Sequence, residues 1–146
     1  MLLGTYQAKF ALGHRVAVPA QLRKDLGETY VLAKWYEGCL VLVGKGSWDA
    51  LLTRLTGGVE AIIAPVRDTE HFIFASAYEL TPDEQGRIVV PERLAHYANL
   101  KTDIYFLGIR DRVEFWDKEI WDEREKLVTK EAAAYIEELD RRNEKK

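Results

Sequence analysis

Arg15-Val16-Ala17-Val18-Pro19-Ala20-Gln21-Leu22 is answered 72 residues later by Arg87-Ile88-Val89-Val90-Pro91-Glu92-Arg93-Leu94. Arg, Val, Pro and Leu recur at equal spacing, and a β-branched residue follows each Arg. A second echo comes in the same order: Ser47-Trp48-Asp49 matches Ile120-Trp121-Asp122 at an offset of 73. Apolar strand candidates lie between the echoes, Tyr30–Ala33 and Leu40–Val43 in one half, Ile104–Leu107 and Val113–Trp116 in the other. Matched elements in matched order point to a tandem duplication.

Working outward from the quoted stretch, each half has the same order of elements. An extended run comes first, Thr5–Phe10 or Ala75–Leu80. Turn residues follow: Leu12-Gly13-His14 in one half, Thr81-Pro82-Asp83-Glu84-Gln85-Gly86 in the other. A short β-branched strand is then stopped by proline, which has no N–H for a ladder. Behind each proline the pattern predicts a short helix, Ala20–Leu26 ending at Gly27 and Glu92–Ala98 ending at Asn99. Two strands with turns at Glu37-Gly38 or Arg110-Asp111 complete the unit. A helix then leaves from Ser47 as N-cap, runs through Leu55 and stops at Gly57-Gly58, with its counterpart starting near Asp117. The expected divisions are a first repeat over 1–58, a linking segment with a short helix over 59–74 (Pro65 near its start), and a second repeat with a C-terminal helix over 75–146.

A unit this small cannot bury an adequate core alone. The two units should therefore share one. The expected fold is α+β and β-rich: one intertwined body with pseudo-two-fold symmetry, plus flanking helices. The 146 residues are 47% hydrophobic and 31% charged, which excludes global disorder. No apolar run approaches the roughly 20 residues of a membrane helix, and no signal-peptide pattern opens the chain. The single cysteine, Cys39, sits among apolar neighbours and reads as a core residue. It excludes an internal disulfide framework and a Cys-based zinc cage, and it makes a reducing cytoplasmic setting the default.

Net charge is −3, unevenly spread. Residues 1–34 carry five Lys/Arg against two Asp/Glu, and residues 117–146 carry eight against ten. The basic end holds the candidates for anion contact: Lys9, His14, Arg15, Arg23 and Lys24. In the second half, Asp83 reads as the cap of its own turn, Gly86 as the residue supplying a positive φ, and Arg87 as the first residue of a strand. A carboxylate four residues before an arginine can hold the guanidinium still as a bidentate pair. A stiff Arg fork suits guanine O6/N7 or a phosphate.

The Asp83-x-x-x-Arg87 turn, the β-branched strand, Pro91 and Leu94 resemble the AbrB-type swapped-hairpin DNA-binding module. Two such modules in tandem, each with a Trp-Asp helix start, resemble the MraZ family of bacterial transcription regulators, and the likeness implies two tandem AbrB-like swapped-hairpin β-barrel units. The likeness runs from Met1 to about Leu127, Leu3-Gly4 before the first strand included. It implies a repressor of the cell division and cell wall gene cluster. Such a protein binds repeated operator sites in double-stranded promoter DNA as a ring-like homo-oligomer, on the nucleoid in the cytoplasm. It implies DNA contacts from Arg15 and Arg87, with Lys9, His14, Arg23 and Lys24 nearby. The first half departs from the pattern: Ala11 stands where Asp83 stands, and His14 takes the glycine place. The carboxylate that would orient Arg15 is missing.

The bland readings are an Arg87–Asp83 pair that only stiffens its turn, and a solvated face for Arg23 and Lys24. Ile120, Trp121, Leu127, Val128, Ala132, Tyr135, Ile136 and Leu139 recur at helical spacing, either packed on their own domain or forming an arm at a subunit interface. Trp116 and Trp121 read as core. An enzyme is not expected: His14, His71 and His96 form no ligand pair, and phosphate loop and nucleophile elbow are both absent from the sequence. No cofactor, metal or membrane is expected. The alternative is an antitoxin-like or partner-binding AbrB-type module that regulates another protein.

Overall fold

In a computed structural model, residues 1–58 and 62–144 are described. The first residues of the expected linker, 59–61, and the last two of the tail, 145–146, lie outside the described residues. Eight strands and five α-helices follow one another in these: β1 (Leu2–Lys9), β2 (Arg15–Ala17), α1 (Ala20–Leu26), β3 (Tyr30–Lys34), β4 (Leu40–Gly44), α2 (Trp48–Thr56), α3 (Ala64–Phe74), β5 (Tyr78–Leu80), β6 (Arg87–Val89), α4 (Glu92–Tyr97), β7 (Asp103–Arg110), β8 (Arg112–Asp117) and α5 (Lys118–Glu144).

The halves interlock. The main sheet has the order β1-β7-β8-β4-β3-β5, and β2 pairs with β6 in a separate two-stranded ribbon. Thus β1 of the first half joins β7 of the second, and β5 of the second joins β3 of the first, all antiparallel. At two places a residue pairs with its own counterpart: Val16 with Ile88 in the ribbon, and Val41 with Glu114 where β4 meets β8. A pseudo-two-fold axis through these pairs is what the offsets of the duplication require.

Three layers result. Tyr30, Leu32, Leu40, Leu42, Phe106 and Phe115 face the ribbon and helices α1 and α4, meeting Val16, Val18, Leu22, Ile88, Val90 and Leu94. Val31, Ala33, Val41, Val43 and Trp116 face the other way, onto Trp48, Leu51, Leu52 and Ile73 of α2 and α3. Both faces of β3 and β4 are buried, which is why their sequences are unbroken apolar runs. Cys39 is buried in the second cluster, as its neighbours predict. Trp116 is buried and lies 5.2 Å from half-buried Trp121, the rings tilted at 55°. The Glu114 carboxylate on the axis is also buried, accepting from Arg112 Nε and Trp116 Nε1, each at 3.0 Å.

Four sequence expectations need correction. The sheet stays open, with β1 and β5 as its edges, and no barrel closes among the described residues. The three-residue strands β2 and β6 end at Pro19 and Pro91, so they pair with each other and cannot extend to bridge the sheet edges. Helix outweighs strand, chiefly through the 27 residues of α5. Strand β5 is shorter than the expected Ala75–Leu80, because α3 runs to Phe74 and Ser76 and Ala77 bond back to its last carbonyls. Ser47 precedes α2, but its hydroxyl makes no cap hydrogen bond; a 3-10 turn over Lys45–Ser47 leads into the helix.

Candidate nucleic-acid interface

The ribbon alternates strictly. Val16 and Ile88 point into the core, and the alternate residues Arg15, Ala17, Arg87 and Val89 lie on the outer face. In register, Arg15 sits opposite Val89 and Arg87 opposite Ala17, so the two guanidinium-bearing positions lie diagonally on one face. Arg15 and Arg87 line one open cleft together with Thr81 and Asp83.

The second turn is built around Asp83. Its Oδ1 accepts from the Gln85 and Arg87 backbone amides, each at 2.9 Å, and its Oδ2 accepts from Arg87 Nε at 2.8 Å. Its backbone closes the loop, Asp83 N–H to Arg87 O at 3.0 Å and Gly86 N–H to Asp83 O at 2.9 Å. The carboxyl is held below the ordinary aspartate range, first by the Arg87 amide and then by the Arg87 guanidinium and the Gln85 amide. The expected bidentate fork is not formed. Asp83 takes only Nε, and both Nη groups stay without a hydrogen-bond partner among the described residues. That geometry fixes the guanidinium and leaves its outer edge free to donate.

The first turn closes with the same strand-end bond but a different path, since Gly13 and His14 are both left-handed there and Gly86 alone is in the second turn. Ala11 N–H donates to Arg15 O at 2.9 Å, the counterpart of the Asp83–Arg87 bond. His14 takes φ 59° where Gly86 takes φ 77°. Its imidazole stacks on Phe10 at 5.3 Å, nearly parallel. It lines a cleft with His96, Asn99 and Lys101, not the one shared by Arg15 and Arg87. Arg15 has no ion pair among the described residues, as the missing carboxylate implies.

The remaining sequence candidates do not share one environment. Lys9 pairs with Asp103 at 2.8 Å across the β1–β7 register, and this ammonium leads the causes that hold the Asp103 carboxyl low. The Arg23 guanidinium lies across Gly86 of the other half, where any Cβ would collide with it. Its Nε is buried without a hydrogen-bond partner. Lys9 and Arg23 line an open groove with Gln7, Gln21 and Gln85, running from β1 to the ribbon. Lys24 is exposed on α1. Sequence reasoning missed Ala17, Val89 and the groove glutamines; the alternation of Arg-Val-Ala and Arg-Ile-Val would have placed the first two on the outer face.

Among the described residues no three His, Cys, Asp or Glu side chains are grouped to hold a metal ion, and no helix is long and apolar enough to cross a membrane. Comparison with known proteins decides the kinship. Proteins named "Transcriptional regulator MraZ" match almost end to end. That of Caldanaerobacter subterraneus subsp. tengcongensis is 34% identical over 143 residues, 98% of this chain and 99% of that one. That of Acetivibrio thermocellus is 37% identical over 122 residues, 84% and 85% of the two chains, and that of Heliobacterium modesticaldum 36% over 137, 94% and 93%. The chain belongs to the MraZ family. The family model described as "MraZ protein, putative antitoxin-like" matches residues 73–143, which hold the Asp83–Arg87 turn and α5. MraZ relatives are named as transcriptional regulators and not as enzymes, and the interlocked tandem units fit that family.

Proposed function

We propose that this MraZ-family chain binds double-stranded promoter DNA through the β2–β6 ribbon and represses transcription there. One observation carries the reading: the Val16–Ile88 pair anchors the ribbon on the core, so that its outer face presents Arg15 and Arg87 to solvent. The major groove of B-DNA admits a two-stranded β-ribbon, and arginine is the side chain that most often reads guanine there. Arg87, held by Asp83 through Nε, is the base-reading residue. Arg15, without an orienting carboxylate, serves a phosphate. Lys9, His14, Arg23 and Lys24 surround the ribbon as secondary backbone contacts, and Asp83 and Gly86 form the orienting turn.

A chain of net charge −3 with one small basic face binds DNA weakly by itself. Several copies on repeated operator sites multiply that affinity through effective concentration. The acting unit is therefore a homo-oligomer, a ring by resemblance to the family, and the exposed apolar stripe of α5 supplies the surface for a second copy. The operators lie upstream of the cell division and cell wall genes, again by resemblance, which puts the protein on the nucleoid in the cytoplasm. The organisation that goes with this is a first repeat over 1–58, a link over 59–74 and a second repeat with its helix over 75–146.

Titrating the protein with DNA from its own promoter region at several salt concentrations tests the reading. Binding should weaken log-linearly with salt, at a slope set by several neutralised phosphates. Micromolar protein at low salt that shifts no promoter fragment would overturn it and favour the partner-binding alternative.

A further inference from the structure

A second basic cleft lies away from the ribbon, between α3 and α4. Its walls are Lys34 from the end of β3, His71, Phe72 and Ser76 from the α3 region, and Arg93 and Leu94 from α4. The cleft is partly open to solvent, with a volume of about 120 Å³. Lys34 and Arg93 have no ion-pair partner among the described residues, and no carboxylate lines the cleft. His71 is different, since its Nδ1 lies 3.4 Å from Asp68.

The rim is built to hold Lys34 in place. Its backbone N–H donates to Ser76 Oγ at 3.0 Å, and that hydroxyl donates onward to Ile73 O at 2.9 Å. The ammonium sits 5.2 Å from the centre of the Tyr97 ring, which packs edge-on against Phe72 and donates its own hydroxyl to Trp35 O. Ser76 and Tyr97 thus spend their donors on the fold, so the cleft presents two cations backed by aromatic and aliphatic walls. Such walls focus the field of the charges they surround.

We propose that this cleft binds a compact phosphoryl dianion, free phosphate or the head of a small phosphate monoester, between Lys34 and Arg93. Two positive charges match a dianion, whereas a single carboxylate would leave one of them unpaired. The planar guanidinium supplies directional donors to the oxygens and the ammonium supplies a point charge. The volume admits the phosphoryl group. The occupant would tie the end of α3 to α4, the helix that follows the ribbon strand β6.

The site is tested without DNA, so its failure leaves the ribbon reading untouched. The full chain is titrated with inorganic phosphate and, separately, with glycerol phosphate, by calorimetry and thermal unfolding at constant ionic strength against chloride. Saturable binding and a rise in Tm are expected with phosphate and not with chloride. A stronger response to one of the two ligands identifies the source. Lys34→Gln and Arg93→Gln, checked for folding by circular dichroism, should each weaken binding at least about tenfold, while Lys130→Gln on α5 should not. Arg93 is exposed, so its variant stays informative if Lys34→Gln fails to fold. An equal response from wild type and Arg93→Gln, or from phosphate and chloride, overturns the proposal. So does loss of DNA affinity in both variants without any phosphate binding, which would make the cleft part of the DNA face.

Discussion

His14 and Gly86 hold equivalent backbone places in the two turns, and each carbonyl caps the other half: His14 O accepts from Val90 N–H at 2.8 Å, and Gly86 O from Val18 N–H at 2.9 Å. Both residues are left-handed, at φ 59° and 77°. The helix behind each turn is complementary. Arg23 covers Gly86, and the residue corresponding to Arg23 in the second half is Ala95, which lines the His14 cleft. A small turn residue goes with a long helix residue, and the reverse. Left-handed backbone costs about 1–2 kcal/mol for a residue with a Cβ, though histidine is among the types found there more often. His14→Gly should therefore change stability by less than about 1 kcal/mol, relief of strain being offset by the larger freedom of unfolded glycine. Gly86→Ala adds collision with Arg23 to the strain and should cost about 2 kcal/mol or more. Adding Arg23→Ala to Gly86→Ala should recover on the order of 1 kcal/mol. Urea unfolding of the wild type and these three variants measures all three terms.

Asp83 is ionised more readily in the folded chain than in the unfolded one. Its contribution to stability is present above the ordinary aspartate pKa of about 3.9 and is lost as pH falls through that value to the lower folded one. The stability gap between wild type and Asp83→Asn should accordingly be flat from pH 8 to 6 and shrink below about pH 4. Denaturant midpoints across that range check it; a gap that widens on acidification would contradict the hydrogen-bond assignment.

The two ribbon arginines should fail differently. If Arg87 reads a base as proposed, Arg87→Ala should cost about 1–3 kcal/mol of specific binding while flattening discrimination among operator sequences. If Arg15 serves a phosphate as proposed, Arg15→Ala should weaken all sequences alike and lower the salt slope by about one. Asp83→Asn should resemble a mild Arg87→Ala, because the guanidinium remains but its orientation is released. Competition titrations with operator and scrambled DNA separate these outcomes.

The parts legible in the sequence are those encoded by local chemistry repeated twice. Pro19 and Pro91 mark the ends of the ribbon strands, and the offset echo of Arg15 in Arg87 places each at the first position of an equivalent strand. What was not legible depends on contacts between the halves. Nothing local to Arg23 says that its guanidinium lies on Gly86, 63 positions away in the chain. The Lys9–Asp103 pair follows only from the β1–β7 register. The Ala95–Arg23 exchange was available, by aligning the repeats through their helices as well as their strands.

Interlocking has its own consequence. Strand β1 pairs only with β7, and β2 pairs only with β6, so residues 1–58 alone retain just the β3–β4 hairpin. A lone hairpin is at best marginal in water. That fragment should be unfolded by circular dichroism and amide dispersion, and mixing it with residues 62–146 should restore structure. A stable monomeric fold of 1–58 would show that the halves are separate bodies.

Helix α5 is the part least tied to the body. None of its residues is buried, and Tyr135, Ile136 and Leu139 are 51%, 66% and 60% exposed over its last turns. Its 27 residues span about 40 Å, and its first turns reach the body through Lys118 over the Tyr105 ring, Trp121 beside Trp116 and the Arg124–Glu37 ion pair. If this stripe joins copies, ending the chain after Lys126 should leave the near-ultraviolet circular dichroism of the body intact while reducing the assembly to smaller species. Ile136→Glu should act in the same direction, because a charge in an apolar interface is costly while the same charge on an exposed monomeric helix is not. Sedimentation velocity reads the mass and promoter titration the consequence: the shortened chain should keep its contacts at one operator repeat and lose the gain from several. An unchanged mass in both variants would move the subunit interface to another face.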